Sequence, residues 1–118
     1  MALHDMSPKA TTEQLPLTEP VLLILLSLAG QPRHGYSILK DVEQISDGRV
    51  LLSTGTLYGA LRRLLDEDWI EPIKEHESSR GRRAYRLTAR GRSSLQLEVG
   101  RIKHLTRLAN LRVAAREI

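Results

Sequence analysis

LLSTGTLYGALRRLLDEDW, residues 51–69, superimposes two patterns, and together they decide how the chain is read. On a helical wheel of 100° per residue, Leu57, Leu61 and Leu64 fall on one side, while Gly55, Gly59, Arg62 and Asp66 lie opposite and Tyr58 sits on the shoulder. Ser53 is placed to cap this helix, its hydroxyl accepting from backbone N–H groups that lack intrahelical partners. The spacing predicts a helix to about Asp68, with its leucines seated in a core and its outward face low in bulk at the N-terminal end.

Working outward, Thr18 is suited to cap an earlier helix whose body is Val21–Ala29, with Glu19 and Pro20 in its first turn and Gly30 and Pro32 stopping it. This helix is apolar nearly all round, so Val21, Leu22 and Leu25 either fill the core or meet a second copy. His34, Gly35 and Tyr36 open a second helix carrying Ile38, Leu39, Val42 and Ile45, and Asp47 with Gly48 marks a turn. Beyond residue 69, Trp69, Ile70 and Ile73 alternate with polar residues as in a half-buried strand. ESSRGRR then reads as a turn and RAYRLT as a return strand, with Ala84 and Arg86 on one face and Tyr85 and Leu87 on the other. Trp69 is expected to pack beneath this hairpin. Thr88 caps a last helix in which Leu95, Val99, Ile102, Leu105, Leu108 and Leu111 recur every three or four residues. So long a stripe at the end of a small domain points to packing against another copy through Ile102, Leu105 and Leu108.

The whole chain has 118 residues, room for one compact domain with one added element. Its expected division is an N-terminal arm (1–16), a core domain (17–92) and a C-terminal helix (93–118). With no Phe, the core must be built from Leu, Ile, Val and Ala, which suits packed helices; with no Cys, disulfides and thiolate chemistry are excluded. The apolar run Val21–Ala29 is about half of the roughly 20 residues a membrane-spanning helix needs. It also resembles the apolar part of a signal peptide, but Asp5, Glu13 and Glu19 against Lys9 give the preceding segment the wrong charge, so a cytoplasmic protein is expected. His4, His34, His76 and His104 lack a metal-ligand spacing, and no nucleophile elbow or phosphate loop occurs. No metal, no cofactor and no enzyme activity are expected.

Charge is the second discriminating feature. From Glu71 to Arg92, Lys74 and six arginines face three glutamates, so this stretch accounts for the entire formal net charge of +4. A solvated face is the bland reading, yet RGRRAYRLTARGR holds six arginines and no acid, and such a cluster repels itself unless a polyanion or buried partners compensate. Three helices, a basic hairpin and a long helix give a mainly α fold with a small β-hairpin: a winged helix-turn-helix plus a C-terminal dimerisation helix. Small residues at the start of the third helix allow close approach to a duplex, where hydroxyls and helix N–H groups meet phosphates or base edges. A winged helix used only to bind protein would keep the core pattern without needing the arginines.

HGYSILKDVE, LSTGTLYGALRRLLDEDWIE and GRRAYRLTARGR, in that order between Leu17 and Leu95, resemble the PadR family of transcriptional regulators. The resemblance implies a homodimer joined by the first and last helices, a pseudo-palindromic operator in double-stranded DNA, and repression. It assigns the recognition helix to Ser53, Thr54, Thr56 and Tyr58, the wing to Arg80, Gly81, Arg82 and Arg83, and phosphate contacts to His34 and Tyr36. Arg62 adds a cation on the outward face of the same helix. The length fits a short subtype with a single C-terminal helix. That helix has no tryptophan to stack a flat ligand, so a small-molecule effector is left open and unidentified.

Overall fold

A computed structural model of the protein describes residues 16–74 and 83–116. Among them the elements run α1 (Glu19–Gly30), β1 (Arg33–His34), α2 (Gly35–Ile45), α3 (Thr54–Asp66), β2 (Ile70–Ile73), β3 (Ala84–Leu87) and α4 (Ala89–Arg116). The expected arm, apart from Pro16, and the ESSRGR part of the expected turn lie outside the described residues.

Three helices start where a hydroxyl can accept from an orphan N–H group. Thr18 Oγ1 accepts from Val21 N at 3.4 Å, Ser53 Oγ from Thr56 N at 3.0 Å, and Thr88 Oγ1 from Gly91 N at 2.9 Å. Two helices end at an aspartate in the left-handed region, Asp47 at φ 55° and Asp68 at φ 66°. In each case the next N–H reaches back five residues, Gly48 to Glu43 O at 2.8 Å and Trp69 to Leu64 O at 2.9 Å, which closes the last turn. Because Asp68 takes this conformation, α3 stops at Asp66 instead of running on to Asp68.

The hairpin of β2 and β3 is present, with Ile70 opposite Leu87 and Ile73 opposite Ala84. A third strand was not foreseen: Arg33 and His34 pair antiparallel with Tyr85 and Ala84, giving the sheet order β1-β3-β2. As the central strand, β3 buries Ala84, Tyr85 and Leu87 and exposes only Arg86, so the simple two-faced alternation expected of it gives way. Trp69, directly before β2, is buried in the core at 2% exposure.

The core is mostly aliphatic, with Ile24, Leu25, Leu28, Ile38, Val42, Leu57, Leu61, Leu64 and Leu95 packed around Trp69 and Tyr85. Leu25, one of the residues considered for a dimer face, is 0% exposed and therefore has no surface to offer a partner. Its neighbour Leu26 is the large apolar side chain of α1 that is exposed, at 39%. The first turns of α4 pack on α1 and β3 and bury Ser94, Leu95 and Glu98. Arg101 and Ile102 are half-buried, and from Lys103 to Ala115 every residue is exposed. That projecting piece is about 20 Å long.

Candidate nucleic-acid interface

Helix α3 rests on Leu57, Leu61 and Leu64, which leaves Ser53, Thr54, Gly55, Thr56, Tyr58, Gly59 and Arg62 exposed. Ser53 and Thr56 are organised among themselves: Ser53 Oγ donates to Thr56 Oγ1 at 2.9 Å while accepting from Thr56 N. The two hydroxyls therefore fix the first turn. Each keeps unused acceptor capacity toward solvent. A Cβ added at Gly59 would meet nothing within 4 Å, so the outward face is uncrowded one turn farther along as well.

Tyr58 leans out of α3 across the start of α2. A Cβ on Gly35 would lie 2.3 Å from the Tyr58 hydroxyl oxygen, so glycine is what lets the phenol lie there. The ring thus bridges two helices and stays half-exposed, at 50%. It lines a cleft of about 440 Å³ with His34, Gly35, Tyr36, Ser37, Arg83 and Tyr85. Three separate segments, the start of α2, the first turns of α3 and the base of the hairpin, meet in this one place.

Of the residues expected to touch DNA, His34, Tyr36, Tyr58 and Arg83 line the cleft. Ser53, Thr54, Thr56 and Arg62 occupy the adjoining outward face of α3, all exposed. Arg80 and Arg82 lie outside the described residues. Tyr36 is 69% exposed, and the Lys40 ammonium stands over its ring at 5.9 Å. Not every arginine near the wing is available to a polyanion. Arg86 Nε donates to Glu71 Oε2 at 2.8 Å across the two strands, so its charge is met within the hairpin.

Two residues that sequence patterning passed over complete the geometry. Arg33 Nε donates to Ser27 O at 2.9 Å, its Nη1 to Ser37 Oγ at 3.0 Å, and its Nη2 lies 3.5 Å from Asp41 Oδ2. It ties α1 to the first turns of α2, and its partner Ser37 is one of the residues that line the cleft. Tyr85, placed by its sequence only on one face of the return strand, is 6% exposed yet lines the cleft, and burial pushes its hydroxyl pKa up from the usual tyrosine value, opposed by nearby Arg83. It is a neutral hydrogen-bonding group at neutral pH. Only the HGYS motif, which places Ser37 one turn before Asp41, could have signalled the role of Arg33.

No cluster of three or more metal-binding side chains occurs among the described residues, and no helix there is long and apolar enough to cross a membrane. What the site offers is hydroxyls, a guanidinium and helix starts on one shallow surface. Such groups suit phosphate and base edges.

Comparison with known proteins gives three findings. Residues 23–97 match the family described as Transcriptional regulator PadR-like. A curated relative, an uncharacterised 37.1 kDa protein in transposon TN4556 of Streptomyces fradiae, is 40% identical over 86 residues; the match covers 72% of this chain but only 23% of the relative's length. Among solved structures, a PadR family transcription regulator from Clostridium difficile aligns with TM-score 0.67 at 28% identity over 81% of this chain and 99% of its own. A PadR-like transcriptional regulator from Bacillus cereus aligns with TM-score 0.66 at 19% identity, over 89% of this chain and 96% of its own, a likeness of fold.

Proposed function

Because the chain belongs to the transcriptional regulator PadR-like family, we propose that it regulates transcription by binding double-stranded DNA as a homodimer. Its structural neighbours are likewise transcription regulators rather than enzymes. The observation that carries the reading is the convergence of His34, Tyr36, Tyr58 and Arg83 on one cleft beside the uncrowded start of α3.

In this reading residues 17–92 form the DNA-binding unit and 93–118 the dimerisation helix. Ser53, Thr54 and Thr56 enter a major groove with α3, and Arg62 follows along its wall. His34, Tyr36 and the wing arginines Arg80, Arg82 and Arg83 hold neighbouring phosphates, which sets affinity and register but carries no sequence information. Tyr58 bridges the two tasks, since its ring rests on Gly35 and its hydroxyl end lies at the cleft. The exposed apolar side chains of α4, Leu105 at 47% and Leu108 at 39%, with half-buried Ile102, form the dimer seam together with Val21, Leu22 and Leu26 of α1. Two copies would then place their α3 helices in successive major grooves, with half-sites about 34 Å apart on a pseudo-palindromic operator. Blocking a promoter in the cytoplasm, and hence repression, is the simplest consequence of such binding. No residue specifies an effector.

Selection of DNA from a random library, followed by footprinting at two stated salt concentrations, tests this reading. A palindromic site with half-sites one turn apart supports it. Sequence-independent binding, or none, overturns it. Arg83→Ala should weaken binding to every duplex and reduce the salt slope by about 0.9.

A further inference from the structure

Among the described residues Glu98 is the only charged side chain that is fully buried, at 1% exposure. It lies on α4, one turn past Leu95, and is the last fully buried residue of that helix among those described. Both of its oxygens are engaged. Oε1 accepts from Arg101 Nε at 2.8 Å, and Oε2 accepts from Arg101 Nη2 at 2.8 Å and from Leu17 N at 3.0 Å. The Leu17 amide precedes the Thr18 cap, so it has no place in the hydrogen-bond ladder of α1 and takes its acceptor from a helix 81 residues away in sequence. The hydrogen bonds from Arg101, helped by the Leu17 amide, lower the Glu98 carboxyl pKa from its ordinary value against the opposing effect of burial.

An ion pair with one buried and one solvent-exposed end, Arg101 being 39% exposed, adds little net stability, because desolvation of the carboxylate offsets an attraction that solvent screens. Direction is what it adds. The planar two-point grip of Arg101 orients the carboxylate, and the oriented carboxylate fixes the start of α1 against α4. Those two helices also carry the outward apolar side chains, Leu26 on α1 and Val99, Leu105 and Leu108 on α4.

We propose that Glu98 is a positioning residue which sets the angle of α4 against the winged helix and thereby the separation of the two α3 helices in the dimer. The proposal rests on the DNA-binding dimer above. Leverage makes the angle matter. Leu108 lies ten residues beyond Glu98, about 15 Å along a helix at 1.5 Å per residue, so a tilt of about 10° at Glu98 moves it by about 3 Å. One base-pair step of B-DNA is about 3.4 Å. The carboxylate of Glu98 therefore controls which half-site spacing the dimer accepts, without touching DNA itself.

Glu98→Gln tests this, because glutamine can still accept from Leu17 N–H but cannot receive both Arg101 donors. Binding is measured on the selected operator with its half-site spacing altered by one base pair each way, and on a single half-site. The wild type should prefer the best spacing by about tenfold or more, and the variant by about threefold or less, with single half-site affinity kept within about twofold. A second readout needs no DNA. Since the chain has no cysteine, Asp66→Cys introduces one spin-label position on α3, and the label-to-label distance distribution between copies should broaden when Glu98→Gln is added. A folded variant that keeps both the wild-type spacing preference and the wild-type distance distribution overturns the proposal, as does an equal loss of affinity on every duplex. If the wild type binds no DNA, the preceding reading fails while the distance measurement still decides the positioning role. Should Glu98→Gln not fold, Arg101→Gln, which leaves the Leu17 contact in place, is put through both measurements and judged by the same outcomes.

Discussion

Helices α3 and α4 have similar leucine spacing and opposite surroundings. In α3, Leu57, Leu61 and Leu64 are 0–5% exposed; in α4, Leu105, Leu108 and Leu111 are 39–62% exposed. Helical periodicity therefore declares a face that needs cover, but not what covers it. The stripe of α3 is satisfied inside the chain, which frees its other face for a ligand. From Leu105 onward the stripe of α4 is covered by nothing among the described residues, and an unsupported helical extension of this length is marginal in water even with good helix formers. One helix is thus defined by its own fold, and the other is left to the partner copy proposed above.

The largest effect expected from this contrast is at Leu61. Leu61→Ala removes a side chain that is 1% exposed from the centre of the core, and should lower unfolding free energy by about 2–5 kcal/mol. Denaturant titration measures it. A loss below about 1 kcal/mol, the range of an exposed position, would mean that α3 is not seated as described.

Next comes the joint between the two helices. A Cβ at Gly91, in the first turn of α4, would lie 2.0 Å from the carbonyl oxygen of Trp69, a backbone atom that cannot swing aside. Gly91→Ala should therefore destabilise by about 1–3 kcal/mol through forced displacement of α4, although alanine at an unhindered helix position improves propensity. Gly100→Ala is the internal control, because a Cβ there meets nothing within 4 Å. Equal behaviour of the two variants in thermal melts would break the argument for a close joint.

A smaller and opposite effect is expected at Asp68. Its φ of 66° is costly for a residue with a Cβ, and its carbonyl accepts from Thr88 Oγ1 at 2.7 Å, linking the end of α3 to the start of α4. Asp68→Gly keeps that backbone acceptor and relieves the left-handed strain, with a gain of a few tenths to about 1 kcal/mol. A loss of stability in chemical denaturation would show instead that the Asp68 side chain contributes beyond its conformation.

How far these features could be read in advance follows from their range along the chain. The caps at Thr18, Ser53 and Thr88 were legible because a cap needs only its next three residues. The leucine face of α3 was legible because glycines and charges mark its other side. In α1 almost every residue is apolar, so nothing local separates buried Leu25 from exposed Leu26. Strand β1 is two residues long and exists only through its pairing with Tyr85 and Ala84. The Tyr58 approach to Gly35 and the Glu98 grip on Leu17 are likewise products of tertiary packing. His34, Tyr36, Tyr58 and Arg83 could be named from motifs, whereas their meeting in one cleft depends on Arg33 and β1.

Leu108 gives the smallest expected change in fold stability and the sharpest separation of the two helices. Leu108→Glu adds a charge to a side chain that is 39% exposed in the single chain, so at concentrations where the wild type is itself dissociated its unfolding free energy should differ by about 0.5 kcal/mol or less. At higher concentration the wild type gains stability by mass action from association, while the variant does not, because a carboxylate in an apolar seam is left unpaired. The melting temperature of the wild type should therefore rise with protein concentration and that of Leu108→Glu stay level. Sedimentation should show dimer and monomer respectively, and operator binding by the variant should fall to that of a single half-site. A variant that melts and sediments like the wild type across the whole concentration range would mean that the α4 stripe is not what joins the copies. The contrast with α3 would then lose its physical basis, because exposure of those leucines would no longer signal an absent partner.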